Sequence, residues 1–157
     1  SSLDRSSAAS DVYKRQAVDA QWDEHPMSLP VRNNATLASR WGATQASRGR
    51  DVLPAGTLPD SQAASTDFGN VSHLVPGIHP LVKIAPEGTA LHTTDFAAAA
   101  ISDQAFEGAF DAAVGLAQTI ADILNDPQLL TDAKKEFEAA GGAISVEELL
   151  AGAAEQR

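Results

Sequence analysis

One periodic segment constrains the fold more than any other part of the sequence. From Ser102 to Asn125 apolar residues recur every three or four positions, which is the period of an amphipathic α-helix. The repeating positions are Phe106, Phe110, Ala113, Ala117, Ile120 and Leu124. Ser102 is a typical N-cap residue, and Asn125-Asp126-Pro127 ends the pattern. The sequence therefore predicts a long helix with one apolar face, and packing of that face within the protein is its simplest use.

Shorter helices are predicted before and after this segment. Between Asn33 and Arg48 the residues Leu37, Trp41 and Thr44 recur at helical spacing, which predicts a helix there. Pro127 suits the first turn of a following helix that Gly141-Gly142 closes, with apolar positions at Leu130, Ala133 and Phe137. Ser145 and Glu148 form a capping box for a last short helix. The C-terminal part of the chain is therefore predicted to be helical.

Two segments have strand character. Ala17–Asp23 alternates apolar and polar residues, which is typical of a half-buried strand. Leu81–Ala85 (LVKIA) is a short apolar run with β-branched residues, typical of a strand buried on both faces. Because so few strands cannot form an independent sheet beside long helices, we expect the chain to be part of a larger α/β domain.

The first sixteen residues differ from the rest of the chain. They contain SSAASDVYKRQ, which resembles translated read-adapter sequence at the ends of open reading frames from metagenomic DNA. We therefore expect residues 1–16 to be a non-native, disordered tail and the natural protein to continue upstream of Ala17. A native disordered tail is the alternative. The segment has no long apolar stretch and does not indicate a secretory signal.

Charge and composition exclude several classes of partner. Eleven Lys and Arg stand against 21 Asp and Glu, giving a net charge of −10, which argues against binding to nucleic acid. No apolar run approaches the roughly 20 residues that span a bilayer, so no membrane association is expected. The chain has no cysteine, which excludes disulfides, thiolate metal sites and a cysteine nucleophile. The expected location is the cytoplasm, although the lack of cysteine leaves the compartment open.

Few residues are candidates for chemistry. Neither an HExxH motif nor a GxSxG motif occurs, so no self-contained active site is expected. His92 follows a predicted buried strand and a Gly-containing loop, a place where open α/β sheets present ligands. A lone histidine is nevertheless more often a surface or hydrogen-bonded residue. Thr66, Asp67 and Gly69 lie in a predicted tight turn, where Asp67 would either orient a metal-bound imidazole or cap a helix.

These motifs carry a resemblance to a known family. STDFGNVSHLVPGIHP at Ser65–Pro80, then ALHTTDF at Ala90–Phe96 and the long helix, resemble the end of the catalytic domain in the aminoacylase and glutamate-carboxypeptidase superfamily of two-zinc amidohydrolases. The amidohydrolase and dipeptidase branch is the nearest, and the resemblance runs from Ala17 to about Leu130. It implies an α/β fold in which a mixed sheet is flanked by helices. It also implies that Asn34 has a structural role where the chain re-enters the catalytic domain.

The same resemblance implies a division into domains. Residues 17–26 correspond to the end of an inserted ferredoxin-like lid domain, with Ala17–Asp23 as its last strand, and the parent protein is expected to form a homodimer through this domain. Residues 27–157 correspond to the C-terminal part of the zinc-peptidase-like catalytic domain.

The resemblance also implies an activity. Such enzymes use two divalent metal ions, here expected to be zinc, to activate a water that attacks an amide carbonyl, while a Glu takes the proton. Cobalt and manganese are not excluded by this donor type. The last histidine ligand of the family matches His92, and the turn beside its site matches Thr66, Asp67 and Gly69, which are assigned a supporting role.

The other ligands and the general base would lie upstream, so no catalytic residue is expected in this chain and the chain alone is expected to be inactive. The parent protein would hydrolyse an amide bond next to a free amino-acid carboxylate, in a small peptide or an N-acyl amino acid. The alternative is a non-enzymatic, acidic helical module that offers the apolar face of its long helix to a partner helix.

Overall fold

A computed structural model describes residues 28–54, residue 57 and residues 66–148. Within these residues the chain is helical. The helices are α1 (Ala35–Ser47), α2 (Phe68–Ser72), α3 (Thr94–Ala99), α4 (Asp103–Asn125) and α5 (Pro127–Ala139), and a further helical turn begins at Val146. Helix α1 packs against both α4 and α5, and these two also contact each other. The three longest helices therefore form the frame on which the loops are held.

Helix α1 confirms the helix predicted between Asn33 and Arg48. The side-chain oxygen of Asn34 accepts a hydrogen bond from the backbone N–H of Leu37 at 3.1 Å and so caps the helix. Its side-chain Nδ2 donates to the backbone oxygen of Ala133 in α5 at 2.9 Å. Asn34 thus fixes the start of one helix to the middle of another, which confirms its structural role.

Helix α4 has the predicted bounds but not the predicted packing. Ser102 caps it, since its hydroxyl accepts from the backbone N–H of Ala105 at 3.2 Å. The buried residues are small, namely Ala105, Gly108, Gly115 and Thr119. A Cβ on Gly115 would lie 2.6 Å from Nε1 of Trp41 in α1, so only glycine allows this approach of the two helices.

The large apolar residues of α4 face away from this packing. Phe106 is 74% exposed, Phe110 55%, Ile120 59% and Leu124 78%. The expectation that this face packs within the protein is therefore not met by the described residues. Small residues occupy the inner face instead, because α1 and the segment around Ile84 approach α4 too closely for larger side chains.

Helix α5 begins and ends as predicted. Pro127 is in its first turn, and the carboxylate of Asp126 accepts from the backbone N–H groups of Gln128 and Leu129. Gly141 and Gly142 follow the helix with positive φ angles of 108° and 67°. Its buried apolar residues are Leu129, Ala133 and Phe137, so Leu129 and not Leu130 of the predicted apolar positions lies on the buried face.

Arg32 completes the C-terminal end of α5. Its guanidinium donates to the backbone oxygens of Ala140 at 3.0 Å and Gly142 at 2.6 Å, and it lies 4.4 Å from the ring centroid of Phe137. Carbonyl groups that the helix leaves without partners are satisfied in this way. Beyond it, the predicted capping box is confirmed. The Ser145 N–H donates to the Glu148 carboxylate at 2.7 Å, and the Glu148 N–H donates to the Ser145 hydroxyl at 3.2 Å.

The core is small. Leu37, Leu129 and Ala133 form its buried centre, and the partly buried Ile78 and Ile123 pack against it. At the other end of α1, Asp111 of α4 pairs with Arg50 and Arg48, whose hydrogen bonds hold the pKa of that carboxyl below its usual value. Charged contacts at one end and an apolar cluster at the other thus join α1 to its neighbours.

The predicted fold class is wrong for the part of the chain that the structure describes. Residues 28–54 and 66–148 contain no strand, so the mixed sheet flanked by helices is not present there. Leu81–Ala85, predicted as a strand buried on both faces, is an irregular segment in which Leu81 is 69% exposed. The apolar residues of this segment contact α4 instead. Ile84 lies so close to the helix that a Cβ at Gly108 would be 2.9 Å from its Cγ2 atom.

Several predictions concern residues outside the described ranges. These are the tail at residues 1–16, the lid segment at residues 17–26 and the strand Ala17–Asp23. Among the helices of the described residues, none combines the length and the apolar character that crossing a membrane requires.

Candidate functional site

Helix α2 and His73 lie in the segment that carries the family resemblance, and their side chains form hydrogen bonds with the backbone of residues 29–32. Asn70 accepts a hydrogen bond from the backbone N–H of Leu29 at 2.8 Å through its side-chain oxygen. The Ser72 hydroxyl accepts from the N–H of Arg32 at 2.9 Å, and Nε2 of His73 lies 3.2 Å from the oxygen of Pro30. Helix α2 and His73 therefore fix residues 29–32, which lead directly into α1.

Gly69 makes this contact possible. A Cβ at this position would overlap the backbone oxygen of Leu29, so any other residue would push the two segments apart. The Ser72 hydroxyl donates back to the oxygen of Gly69 at 2.6 Å. Gly69 thus lies at a point of backbone-to-backbone contact. Its assigned supporting role beside an active site stays a prediction.

Thr66 and Asp67 lie together at the start of α2. The Thr66 hydroxyl is 3.2 Å from a carboxylate oxygen of Asp67, to which it donates, and it accepts from the N–H of Phe68 at 3.3 Å. Asp67 occupies the N-cap position, but its side chain makes no capping hydrogen bond. Between the two uses considered for Asp67, side-chain capping is therefore not observed, and the Thr66 hydroxyl receives the helix N–H instead.

His92 lies in a tightly turned loop with an exposed side chain. Its φ angle is 61°, and no other non-glycine residue of the described ranges has a positive φ. Residues with a Cβ adopt this region at an energetic cost, and such positions cluster at functional sites. The conformation is maintained from both sides of His92.

Before His92, the Thr89 N–H donates to the Pro86 oxygen at 3.3 Å. After it, Thr93 caps α3 by accepting from Phe96 N–H at 3.2 Å and donates its hydroxyl to the Ala90 oxygen at 2.7 Å. These hydrogen bonds therefore hold the backbone on both sides of His92, which is exposed and lies just before a short helix.

The structure does not bring the predicted site residues together. Thr66, Asp67 and Gly69 share the start of α2, whereas the hydrogen bonds around His92 lie within its own loop. Among the described residues no group of three or more His, Cys, Asp and Glu side chains is arranged to hold a metal ion. A single exposed imidazole without a second donor does not amount to a metal site. The described residues by themselves therefore do not form a metal centre, and the assignment of His92 as one ligand of such a centre stays a prediction.

Sequence reasoning missed the contacts that Asn70, Ser72 and His73 make with residues 29–32. The sequence nevertheless contained a signal for these contacts. In the run Gly-Asn-Val-Ser-His, three polar side chains follow a glycine within one or two helical turns. Asn33 was also missed, although its side-chain oxygen accepts from the N–H of His79 at 2.8 Å. These polar side chains form hydrogen bonds with backbone groups of other segments. The segment that carries the family resemblance therefore has a structural role as well as being a candidate site.

Comparison with known proteins identifies two similar dipeptidases. The chain is 35% identical over 120 residues to the Xaa-Arg dipeptidase of Mus musculus, a match covering 76% of this chain and 27% of that protein. It is 36% identical over 89 residues to the Xaa-Arg dipeptidase of Homo sapiens, covering 57% of this chain and 20% of that protein. The chain thus spans about a quarter of the length of the curated relatives it matches.

No protein-family model and no solved structure matches the chain. The resemblance inferred from Ser65–Pro80 and Ala90–Phe96 is therefore supported at the level of a dipeptidase, a kind of peptidase, by the two relatives. Over most of its own length, this chain is similar in sequence to the Xaa-Arg dipeptidases.

Proposed function

We propose that the chain is one part of a dipeptidase that hydrolyses an amide bond next to a free amino-acid carboxylate. The observation that carries the proposal is the 35% identity to a dipeptidase over 76% of the chain. The two relatives are named for substrates that end in arginine. A preference for a cationic residue agrees with this chain's net charge of −10, which attracts positively charged dipeptides.

In this proposal His92 is the residue of the chain that reaches the reaction centre. His92 is exposed, and hydrogen bonds of Thr89 and Thr93 hold the backbone of its loop. A histidine in such a position is able to serve as one ligand of a metal ion. The remaining ligands and the general base belong to residues outside the described ranges, so no step of the reaction is assigned to the described residues.

The experiment is a chimera. The segment of the mouse Xaa-Arg dipeptidase that aligns with this chain is replaced by the corresponding residues of this chain, and hydrolysis of Xaa-Arg dipeptides is measured. We expect an active chimera. His92→Ala is expected to abolish its activity and to lower its bound metal, as measured by elemental analysis.

His79→Ala is the matched control, because it also removes an imidazole but one that stacks on the Phe68 ring at 5.4 Å. This control is expected to retain metal and activity. A folded His92→Ala chimera with normal metal content and activity would remove His92 from the site. A folded but inactive chimera would count against the proposed activity of this chain.

A further inference from the structure

His92 stands at a backbone position that suits glycine better than histidine. Its φ angle is 61°, whereas the other positive φ angle of the same loop, 84°, belongs to Gly88. A residue with a Cβ is disfavoured in this region by a factor of roughly ten. Interactions of the surrounding residues must therefore favour this conformation over the ordinary ones with negative φ.

Packing does not supply this stabilisation. Residues 86–95 are exposed apart from the half-buried Thr89, and α3, which follows His92, contains no buried residue. Even the large apolar neighbour Leu91 is 64% exposed. Since no residue of the loop is fixed in the core, hydrogen bonds within the loop decide its conformation.

One side chain makes hydrogen bonds on both sides of His92. The hydroxyl of Thr93 donates to the backbone oxygen of Ala90, two residues before His92, at 2.7 Å. The same hydroxyl accepts from the backbone N–H of Phe96 in α3 at 3.2 Å. Within the part of the chain that the structure describes, no other side chain of residues 86–96 makes a hydrogen bond.

We propose that Thr93 is a positioning residue whose hydroxyl holds His92 at its positive φ angle, and that the reaction uses His92 in this conformation. The hydroxyl joins residue 90 to residue 96 and so connects the backbone before His92 to the helix after it. The role of Thr93 in the reaction rests on the proposed function. Its role in setting the conformation of His92 does not.

Two hydrogen bonds are large enough for this task. Each shifts an equilibrium by about fivefold, so that both together shift it by about 25-fold and outweigh the roughly tenfold preference for negative φ. Without them the histidine is expected to return to negative φ. Because the direction of the Cα–Cβ bond follows the backbone, the imidazole would then leave the loop in a different direction, and misplaced groups in an active site lower the rate of reaction.

The first test measures the φ angle of His92 in the 157-residue chain by NMR scalar couplings. Thr93→Val removes the hydroxyl and keeps the shape of the side chain, so it is expected to move most molecules to negative φ. Thr93→Ser restores the hydroxyl and is expected to restore the positive φ. A Thr93→Val chain that keeps the positive φ would overturn the proposal.

Thr94→Val is the matched control. Thr94 is an exposed threonine at the next position, and its side chain makes no hydrogen bond among the described residues. The same isosteric change is therefore expected to leave the φ angle of His92 as it is in the wild-type chain. A loss of the positive φ in Thr94→Val would show that any change in this loop displaces His92, and would remove the specific role of Thr93.

The second test measures kcat and KM for Xaa-Arg dipeptides in the chimera with the mouse enzyme. Thr93→Val is expected to lower kcat by about tenfold with little change in KM, because molecules with a displaced His92 still bind substrate but do not react. Thr93→Ser is expected to recover most of kcat, and Thr94→Val to match the unmodified chimera.

An unchanged kcat in the Thr93→Val chimera would overturn the positioning role. So would a loss of kcat that Thr93→Ser does not recover, since the hydroxyl would then not be the group responsible. If the unmodified chimera is folded and inactive, the proposed function fails. The φ angle of His92 in the Thr93→Val chain then still decides whether Thr93 holds this conformation.

Discussion

The side chain of Asn34 donates a hydrogen bond to the backbone oxygen of Ala133 at 2.9 Å, across 99 residues of sequence. The same amide caps α1 through its oxygen. One buried residue thus joins the start of α1 to the middle of α5, directly beside the core residue Leu37.

Asn34→Ala is expected to destabilise the chain by about 2 kcal/mol, because it removes a helix cap worth about 1 kcal/mol and a buried hydrogen bond of similar value. Asn34→Ser keeps a capping oxygen but lacks the donor to Ala133, so it is expected to lose only about half as much. Urea unfolding followed by circular dichroism measures both. Equal losses in the two variants would show that the cap contributes nothing and would contradict the double role of Asn34.

The carboxylate of Glu136 gives the same junction a dependence on pH. It accepts from the backbone N–H of Ala35 and from both the N–H and the hydroxyl of Thr36. Partial burial raises the pKa of Glu136, but these hydrogen bonds outweigh it and hold the pKa below the ordinary value of 4.5. The charged form is therefore bound more tightly in the folded chain.

A lowered folded pKa adds stability above the unfolded value and loses it as pH falls through the folded value. We therefore expect the contribution of Glu136 to the free energy of unfolding to be constant near neutral pH and to decrease below about pH 4.5. Glu136→Gln is expected to cost about 1 kcal/mol at pH 7 and to approach the wild-type stability in acid. Unfolding measured from pH 7 to pH 3 tests this. A wild-type minus variant difference that does not shrink in acid would exclude Glu136 as the titrating group.

Gly69→Ala is expected to destabilise the chain by more than about 2 kcal/mol, because the added Cβ overlaps the oxygen of Leu29 and separates α2 from residues 29–32. Gly88→Ala is the matched control. Gly88 has a φ of 84° but open space around its Cβ position, so its loss comes from backbone strain alone and is expected to be about 1 kcal/mol. Thermal unfolding of the two variants measures which substitution destabilises the chain more. A smaller loss at Gly69 than at Gly88 would contradict the close contact.

Sequence patterns predicted the helices well because caps and helical spacing are local. Ser102 and Pro127 mark helix starts that the structure confirms. The direction in which α4 faces was not predictable, because glycines at 108 and 115 indicate close approach only once Ile84 and Trp41 are placed beside them. The strand at Leu81–Ala85 was wrong for a similar reason. A strand depends on a neighbouring strand, which the sequence of one segment does not specify.

The isolated chain is expected to have no dipeptidase activity and no stoichiometric metal binding. His92 is one donor, and tight binding of zinc needs about three or four. Isothermal titration with Zn²⁺, Co²⁺ and Mn²⁺, together with an assay of Xaa-Arg dipeptide hydrolysis, tests both statements. Hydrolysis by the purified chain that His92→Ala abolishes would show that the chain holds a complete site, and would overturn the expectation that the other ligands lie elsewhere.

The backbone of His92 permits a test of whether its conformation serves function rather than stability. Because its φ of 61° is costly for a residue with a Cβ and not for glycine, His92→Gly is expected to stabilise the chain by about 0.5–1 kcal/mol. Leu91→Gly is the control. This exposed neighbour is not among the positive-φ residues of the described ranges, so glycine there is expected to destabilise by about 0.5 kcal/mol. Urea unfolding compares the three chains. If His92→Gly proves less stable than wild type, the imidazole itself contributes to folding, and the strained loop no longer supports a functional role for this residue.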